Sequence, residues 1–214
     1  MSASGDVRTT TSADEVAGRL RAVGLTVIYR GLEPDRTVHL TRALFGSFEV
    51  TMTGGRPLES LRAEFGPEVV VGADTIFDPA EAADAGAEFV VSPHLDPEIV
   101  VRTRAAGLAS VPGAFTPTDI VAARRAGADL VKIFPVNVVG ADYLLQLAGP
   151  LPGLAVTASG GLQPDLVRAC RAAGAVVAGI GSHLLGADAD GGFDPDDLGR
   201  RRTTEFLRAA GRSA

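Results

Sequence analysis

The sequence predicts an α/β fold, a (β/α)₈ TIM barrel with an extra helix at the N-terminus. Three recurring features of the 214 residues predict it. Helix starts recur as a polar residue, a proline and a nearby acid. Helix ends recur as Ala-Gly. A short apolar run of strand character follows most of those glycines.

The helix starts are Glu33-Pro34-Asp35, Asp78-Pro79-Ala80-Glu81, Asp96-Pro97-Glu98, Thr116-Pro117-Thr118-Asp119, Gln163-Pro164-Asp165 and Asp194-Pro195-Asp196. Proline is tolerated at the first helical position because its missing N–H would be unpaired there, and acids in the first turn suit the helix dipole. The ends are Ala85-Gly86, Ala106-Gly107, Ala126-Gly127 and Ala173-Gly174; glycine supplies the left-handed residue that stops a helix. The apolar runs are Leu25–Gly31, Ser47–Thr53, Glu68–Ile76, Glu88–Pro93, Leu108–Pro112, Asp129–Pro135, Leu154–Ser159 and Val176–Ser182. Strict alternation of strand and helix implies right-handed βαβ units and a parallel sheet. Eight such units in one compact chain favour closure over the alternative, a doubly wound open sheet.

Two pieces lie outside the repeat. Ser12-Ala13-Asp14-Glu15 has the form of a capping box, opening a helix with Val16, Leu20 and Val23 on one face. That helix is expected to close the bottom of the barrel. At the other end, an acidic connection from Gly186 to Gly192 leads to a last helix carrying Leu198, Phe206 and Leu207. The expectation is one barrel domain over 1–214, with 1–11 flexible and 186–214 forming the acidic loop and C-terminal helix.

Composition narrows the function. With 46% hydrophobic residues and no apolar run near the ~20 residues of a membrane helix, the chain reads as soluble. The polar start, Met1 to Thr11, has no signal-peptide core. The single Cys170 permits no intrachain disulfide, so a cytoplasmic location is the default expectation. A formal charge of −6 argues against nucleic-acid binding. His39, His94 and His183 have no ligand spacing, and the Asp-rich loop lacks the bidentate acid of a calcium site, so no metal is expected.

The basic residues are nineteen arginines and one lysine, Lys132. Codon bias accounts for an excess of arginine, but a site that needs a deprotonatable amine cannot use arginine. In the run Asp129–Pro135, Val131 and Ile133 suit the helix layer, which turns Lys132 into the barrel near its C-terminal mouth, where such folds carry their chemistry. Burial there disfavours an ammonium and favours a nucleophilic amine. By the same parity Ser47, Glu49, Thr51 and Thr53 point inward, and Glu49 is either functional or half of an internal ion pair. Thr26, Ile28 and Arg30 share one face, with Arg30 at the mouth, and Thr75 ends the third strand. The last two strands end in Ser159-Gly160-Gly161 and Gly179-Ile180-Gly181-Ser182. Barrels bind phosphate at these two positions through backbone N–H groups that glycine leaves accessible; the alternative is tight turns that close the barrel.

In order and spacing, these motifs resemble a known family over roughly residues 12 to 185. The motifs are Ile28-Tyr29-Arg30-Gly31, Phe48-Glu49-Val50-Thr51, Val71-Gly72-Ala73-Asp74-Thr75, Val91-Ser92-Pro93 and Pro112-Gly113-Ala114-Phe115-Thr116-Pro117-Thr118. Val131-Lys132-Ile133-Phe134-Pro135 is the most specific, followed by Ser159-Gly160-Gly161 and Gly181-Ser182. The family is that of the bacterial 2-keto-3-deoxy-6-phosphogluconate and 2-keto-3-deoxy-6-phosphogalactonate (4-hydroxy-2-oxoglutarate) aldolases. The resemblance implies a class I aldolase, without cofactor, that cleaves a phosphorylated 2-keto-3-deoxy sugar acid to pyruvate and glyceraldehyde 3-phosphate. It implies that Lys132 forms the Schiff base and Glu49 is the general acid and base. Thr75 would lie near the pyruvate carboxylate, with Gly160, Gly161 and Ser182 at the phosphate and Phe134 and Pro93 lining the pocket. A homotrimer is implied too.

Two positions depart from the family pattern. Thr53 stands where many gluconate-type members have an arginine for the pyruvate carboxylate, and Arg30 is then expected to take that role. Asp74 stands where glycine is usual; it would pair with Arg30 or alter the substrate. The competing readings are a phosphate-binding isomerase or epimerase, which leaves the inward lysine unexplained, and a non-catalytic sugar-phosphate-binding relative, which Asp74 and Thr53 would favour.

Overall fold

A computed structural model describes residues 11–29, 46–51, 58, 62, 65–76, 78–84, 86–181 and 198–212. Nine parallel strands form the barrel: β1 Leu25–Tyr29, β2 Ser47–Thr51, β3 Val70–Asp74, β4 Phe89–Val91, β5 Ala109–Val111, β6 Gly113–Ala114, β7 Val131–Ile133, β8 Val156–Ser159 and β9 Val177–Gly181. The hydrogen-bonded order is β5-β4-β3-β2-β1-β9-β8-β7-β6. Its two ends, β5 and β6, are consecutive in the chain, so nine strands make eight staves and the barrel closes.

The fifth stave differs from the single strand expected over Leu108–Pro112. It breaks at Pro112, whose nitrogen has no hydrogen to donate. Before the break it pairs with β4 and after it with β7. The Pro112 carbonyl still accepts from the backbone N–H of Lys132 at 2.9 Å, and that bond helps seal the barrel.

The described helices are α1 Ala13–Val23, α2 Pro79–Asp84, α3 Pro97–Ala105, α4 Pro117–Arg125, α5 Val136–Ala148, α6 Pro164–Ala172 and α7 Leu198–Ala209. Four of them, α2, α3, α4 and α6, begin at a predicted proline. At α4 the Thr116 side chain accepts from the Asp119 N–H, while the Asp119 carboxylate accepts from the N–H groups of Thr116 and Phe115. Those backbone donors, led by Thr116, hold the Asp119 carboxyl below its ordinary range. Gly86, Gly107, Gly127 and Gly174 all have positive φ, as helix-ending glycines should. Helix α5 carries none of this punctuation: Pro135 precedes it without a side-chain cap, and Gly140 interrupts its helical geometry. The predicted helix starts at Glu33 and Asp194, the segment 1–10 and the connection 186–192 lie outside the described residues.

Two apolar clusters follow from strand alternation. One lies between the staves and the outer helices, with Phe48, Val71, Val131, Ile133 and Ile180 facing Ile120, Leu144, Val167, Phe206 and Leu207. The other fills the lower barrel interior, where Val70, Phe89, Ala109, Leu130 and Val177 meet Val16, Ala17 and Leu20 of α1. Helix α1 therefore plugs the bottom, as expected. Ion pairs tie it and its surroundings down: Glu88 binds Arg19 at 2.8 Å and Arg62 at 2.6 Å, and Arg104 spans Asp129 at 2.7 Å and Asp14 at 3.0 Å. Burial pushes the Asp129 carboxyl above its usual range, against the opposing pull of the Ser110 N–H and Arg104. Among the described residues, no helix is long and apolar enough to cross a membrane.

Candidate active site

The barrel interior is apolar below and polar above. The lower positions carry the second cluster. The next positions up the staves bring Glu49 and Thr51 from β2, Asp74 from β3, Lys132 from β7 and Ser159 from β8. All are buried, Lys132 at 5% exposure and Asp74 at 1%. Parity does this: Val131 and Ile133 pack outward into the helix-layer core, so the residue between them points in. Burying a charged pair is costly unless the partners meet, and here they do.

The Lys132 Nζ donates to Asp74 Oδ1 at 3.3 Å. Asp74 Oδ2 accepts from the hydroxyls of Thr51 at 3.3 Å and Thr75 at 3.2 Å. Asp74 is thus ion-paired with Lys132, while Arg30, the partner expected for it, lies outside the described residues. Asp74 was not among the predicted site residues. The signal was available, since Val70, Gly72 and Asp74 share the inward parity of β3. Thr75 has φ 62°, making it the non-glycine residue held in the left-handed region among the described residues. A β-branched residue persists there only where its surroundings hold it.

Above this pair opens a cavity of about 320 Å³. Lys132, Asp74, Thr75 and Ile28 form part of its wall, with Pro93 and Phe134 toward the opening. The Phe134 ring, partly exposed, has its centroid 5.4 Å from Nζ, within cation–π range. Ser159, Gly160, Gly161 and Gly181 complete the lining. Gly160 and Gly161 both have positive φ, and a Cβ on either would run into Pro135 or Asn137. The β8 turn is thus pressed against the chain leaving β7, and only glycine fits both its dihedrals and its space. It leads into the N-terminus of α6, an end whose unpaired N–H groups favour anions.

Of the predicted site residues, Lys132, Thr75, Pro93, Phe134, Ser159, Gly160, Gly161 and Gly181 meet at this cavity. Glu49 is buried on β2 in register with Gly72, one inward position deeper than the Thr51–Asp74 level. Arg30 and Ser182, with Thr53, His39 and His183, lie outside the described residues. Ile28 is a wall residue that sequence reasoning placed on the inner face without giving it a role.

Residues 38–197 match the family model of KDPG and KHG aldolases, and the chain belongs to that family. It is 32% identical over 171 residues to a Rhizobium meliloti (strain 1021) protein described as a probable 2-dehydro-3-deoxy-6-phosphogalactonate aldolase, spanning 75% of this chain and 81% of the relative. It is 31% identical over 186 residues to the KHG/KDPG aldolase of Escherichia coli (strain K12), spanning 82% of this chain and 85% of the relative. A solved structure described as native KDPGal superposes with a TM-score of 0.77 at 28% identity, over 86% of this chain and 93% of that one.

Proposed function

We propose that this protein is a class I aldolase that cleaves a 2-keto-3-deoxy-6-phospho sugar acid, of gluconate or galactonate type, to pyruvate and glyceraldehyde 3-phosphate. The observation that carries the reading is Lys132: the chain's one lysine, buried at the mouth of a barrel in a family of aldolases.

In this reading the Lys132 amine adds to the C2 carbonyl of the substrate. Loss of water from the carbinolamine gives an iminium, which draws electrons from the C3–C4 bond. That bond breaks as the C4 hydroxyl gives its proton to Glu49, releasing the aldehyde and leaving an enamine. Glu49 returns the proton to C3, and hydrolysis frees pyruvate and the amine. Arg30 holds the substrate carboxylate with Thr75 near it, Pro93 and Phe134 line the path of the sugar chain, and the Ser159–Gly161 and Gly181–Ser182 turns take the phosphate. The working unit is a homotrimer, as the family resemblance implies. An isomerase or epimerase would give no use to Lys132, and family membership favours the lyase over a non-catalytic role.

Incubation with pyruvate and a borohydride, followed by peptide mass analysis, tests the reading. A reduced pyruvyl adduct on Lys132 supports it, and absence of any adduct across the pH range refutes it. Assays against the two C4 epimers and 4-hydroxy-2-oxoglutarate then identify the substrate.

A further inference from the structure

We infer that Asp74 is a catalytic carboxylate of this site, the counter-ion that stays with the Lys132 nitrogen from ammonium to iminium. The inference rests on the Schiff-base reading of Lys132.

The geometry gives Asp74 this part. It reaches Lys132 from across the barrel, β3 to β7, and both side chains are almost wholly buried. In such a site a facing carboxylate stabilises a positive nitrogen far more than it would in water. Its orientation is built from two sides. The hydroxyls of Thr51 and Thr75 both donate to Oδ2, with Oδ1 turned to the amine. Thr75 does so from a left-handed backbone conformation that β-branched residues avoid.

Charge bookkeeping fits the role. When the protonated amine condenses with a ketone, R–NH₃⁺ and O=C become R–NH⁺=C and water. Two nitrogen-bound protons leave with the carbonyl oxygen, and the positive charge stays on nitrogen. Asp74 therefore keeps a cationic partner through the step and need not be protonated at its end. Among the described residues, the charged side chains turned inward toward Lys132 are Asp74 from β3 and Glu49 from β2. The other staves present Ile28 from β1, Val91 from β4, Val111 and Gly113 from the fifth stave, Thr157 and Ser159 from β8, and Gly179 and Gly181 from β9. His94, in the loop after β4, is exposed.

A facing carboxylate favours the ammonium over the free amine, so removing its charge should free the amine at lower pH. The experiment follows the rate at which pyruvate and cyanoborohydride modify Lys132 as a function of pH. Wild type is compared with Asp74→Asn, which keeps the shape, and Asp74→Gly, which serves if the first does not fold. The midpoint of the pH profile is expected to move to lower pH by about one unit or more in the variants, the change that a tenfold shift in the protonation equilibrium produces. A purely structural ion pair would move that midpoint too but leave the limiting rate of modification above it unchanged, whereas loss of the iminium's counter-ion is expected to lower that limiting rate in the variants. If wild type is trapped on Lys132 and the variants keep its midpoint or its limiting rate, the inference falls and the Schiff-base reading stands. If wild type gives no adduct on Lys132, the Schiff-base reading falls and this inference with it.

Discussion

The ring of Phe89 lies over the α-carbon of Gly72, and a Cβ built on Gly72 would overlap the ring. The two residues are in register on adjacent staves, β3 and β4, and this contact is the boundary between the apolar plug below and the polar site above. Gly72→Ala is expected to destabilise the protein by about 1–3 kcal/mol through overpacking. Phe89→Leu in the same chain should recover part of that loss. Thermal or denaturant unfolding of the two single variants and the double variant measures it; simple additivity would mean that the two residues do not compete for space.

Lys132→Arg should abolish turnover while the fold persists. Arginine keeps a positive charge for Asp74 but has no deprotonatable amine to attack a ketone. Circular dichroism and melting temperature check the fold, and a coupled pyruvate assay checks the activity. Substantial residual turnover would remove the Schiff base from the mechanism.

In the proposed mechanism, Glu49→Gln removes the proton carrier and leaves the Lys132 amine in place. Turnover is expected to fall by roughly 10²–10⁴-fold, the usual worth of a positioned acid or base. Borohydride trapping on Lys132 should still occur. Unchanged turnover would make Glu49 a structural residue.

The capping box of α4 gives a pH-dependent stability term. Backbone N–H donors lower the Asp119 carboxyl in the folded protein, so its contribution is present above the ordinary carboxylate range and is lost as pH falls through the lowered folded value. Asp119→Ala should therefore be less stable than wild type near pH 7, and the gap should close in strong acid. Thr116→Ala loses the cap itself and should cost about 1 kcal/mol. Urea unfolding of the variants at both pH values tests the sign.

Cys170 is fully buried in α6, and burial pushes its thiol above the usual range. Thiolate is the reactive form, so both access and ionisation protect it. A disulfide reagent such as Ellman's should titrate Cys170 only in denaturant. Rapid labelling of the native protein would show that α6 opens locally.

Much of this architecture is legible in the chain because it is enforced locally. Proline and acid open a helix, glycine closes it, and a period of two sorts each strand into inner and outer faces. Those rules suffice to turn Lys132 and Glu49 inward and to bring the glycine turns of β8 and β9 to one end. Helix α5 escaped them because its start has no polar cap and its middle is interrupted at Gly140. The break of the fifth stave at Pro112 escaped too, since it shows only when one stave must pair with different neighbours on its two sides. The partner of Lys132 was beyond local rules altogether. Asp74 lies 58 residues earlier in the chain, and parity says that each residue points inward, not which one it meets across the barrel. By itself the sequence determined the staves, their faces and the lone amine, because these follow from short-range sterics and periodicity. Only closure of the barrel decided that the amine faces Asp74, because which inward side chains meet depends on register and curvature summed around every stave.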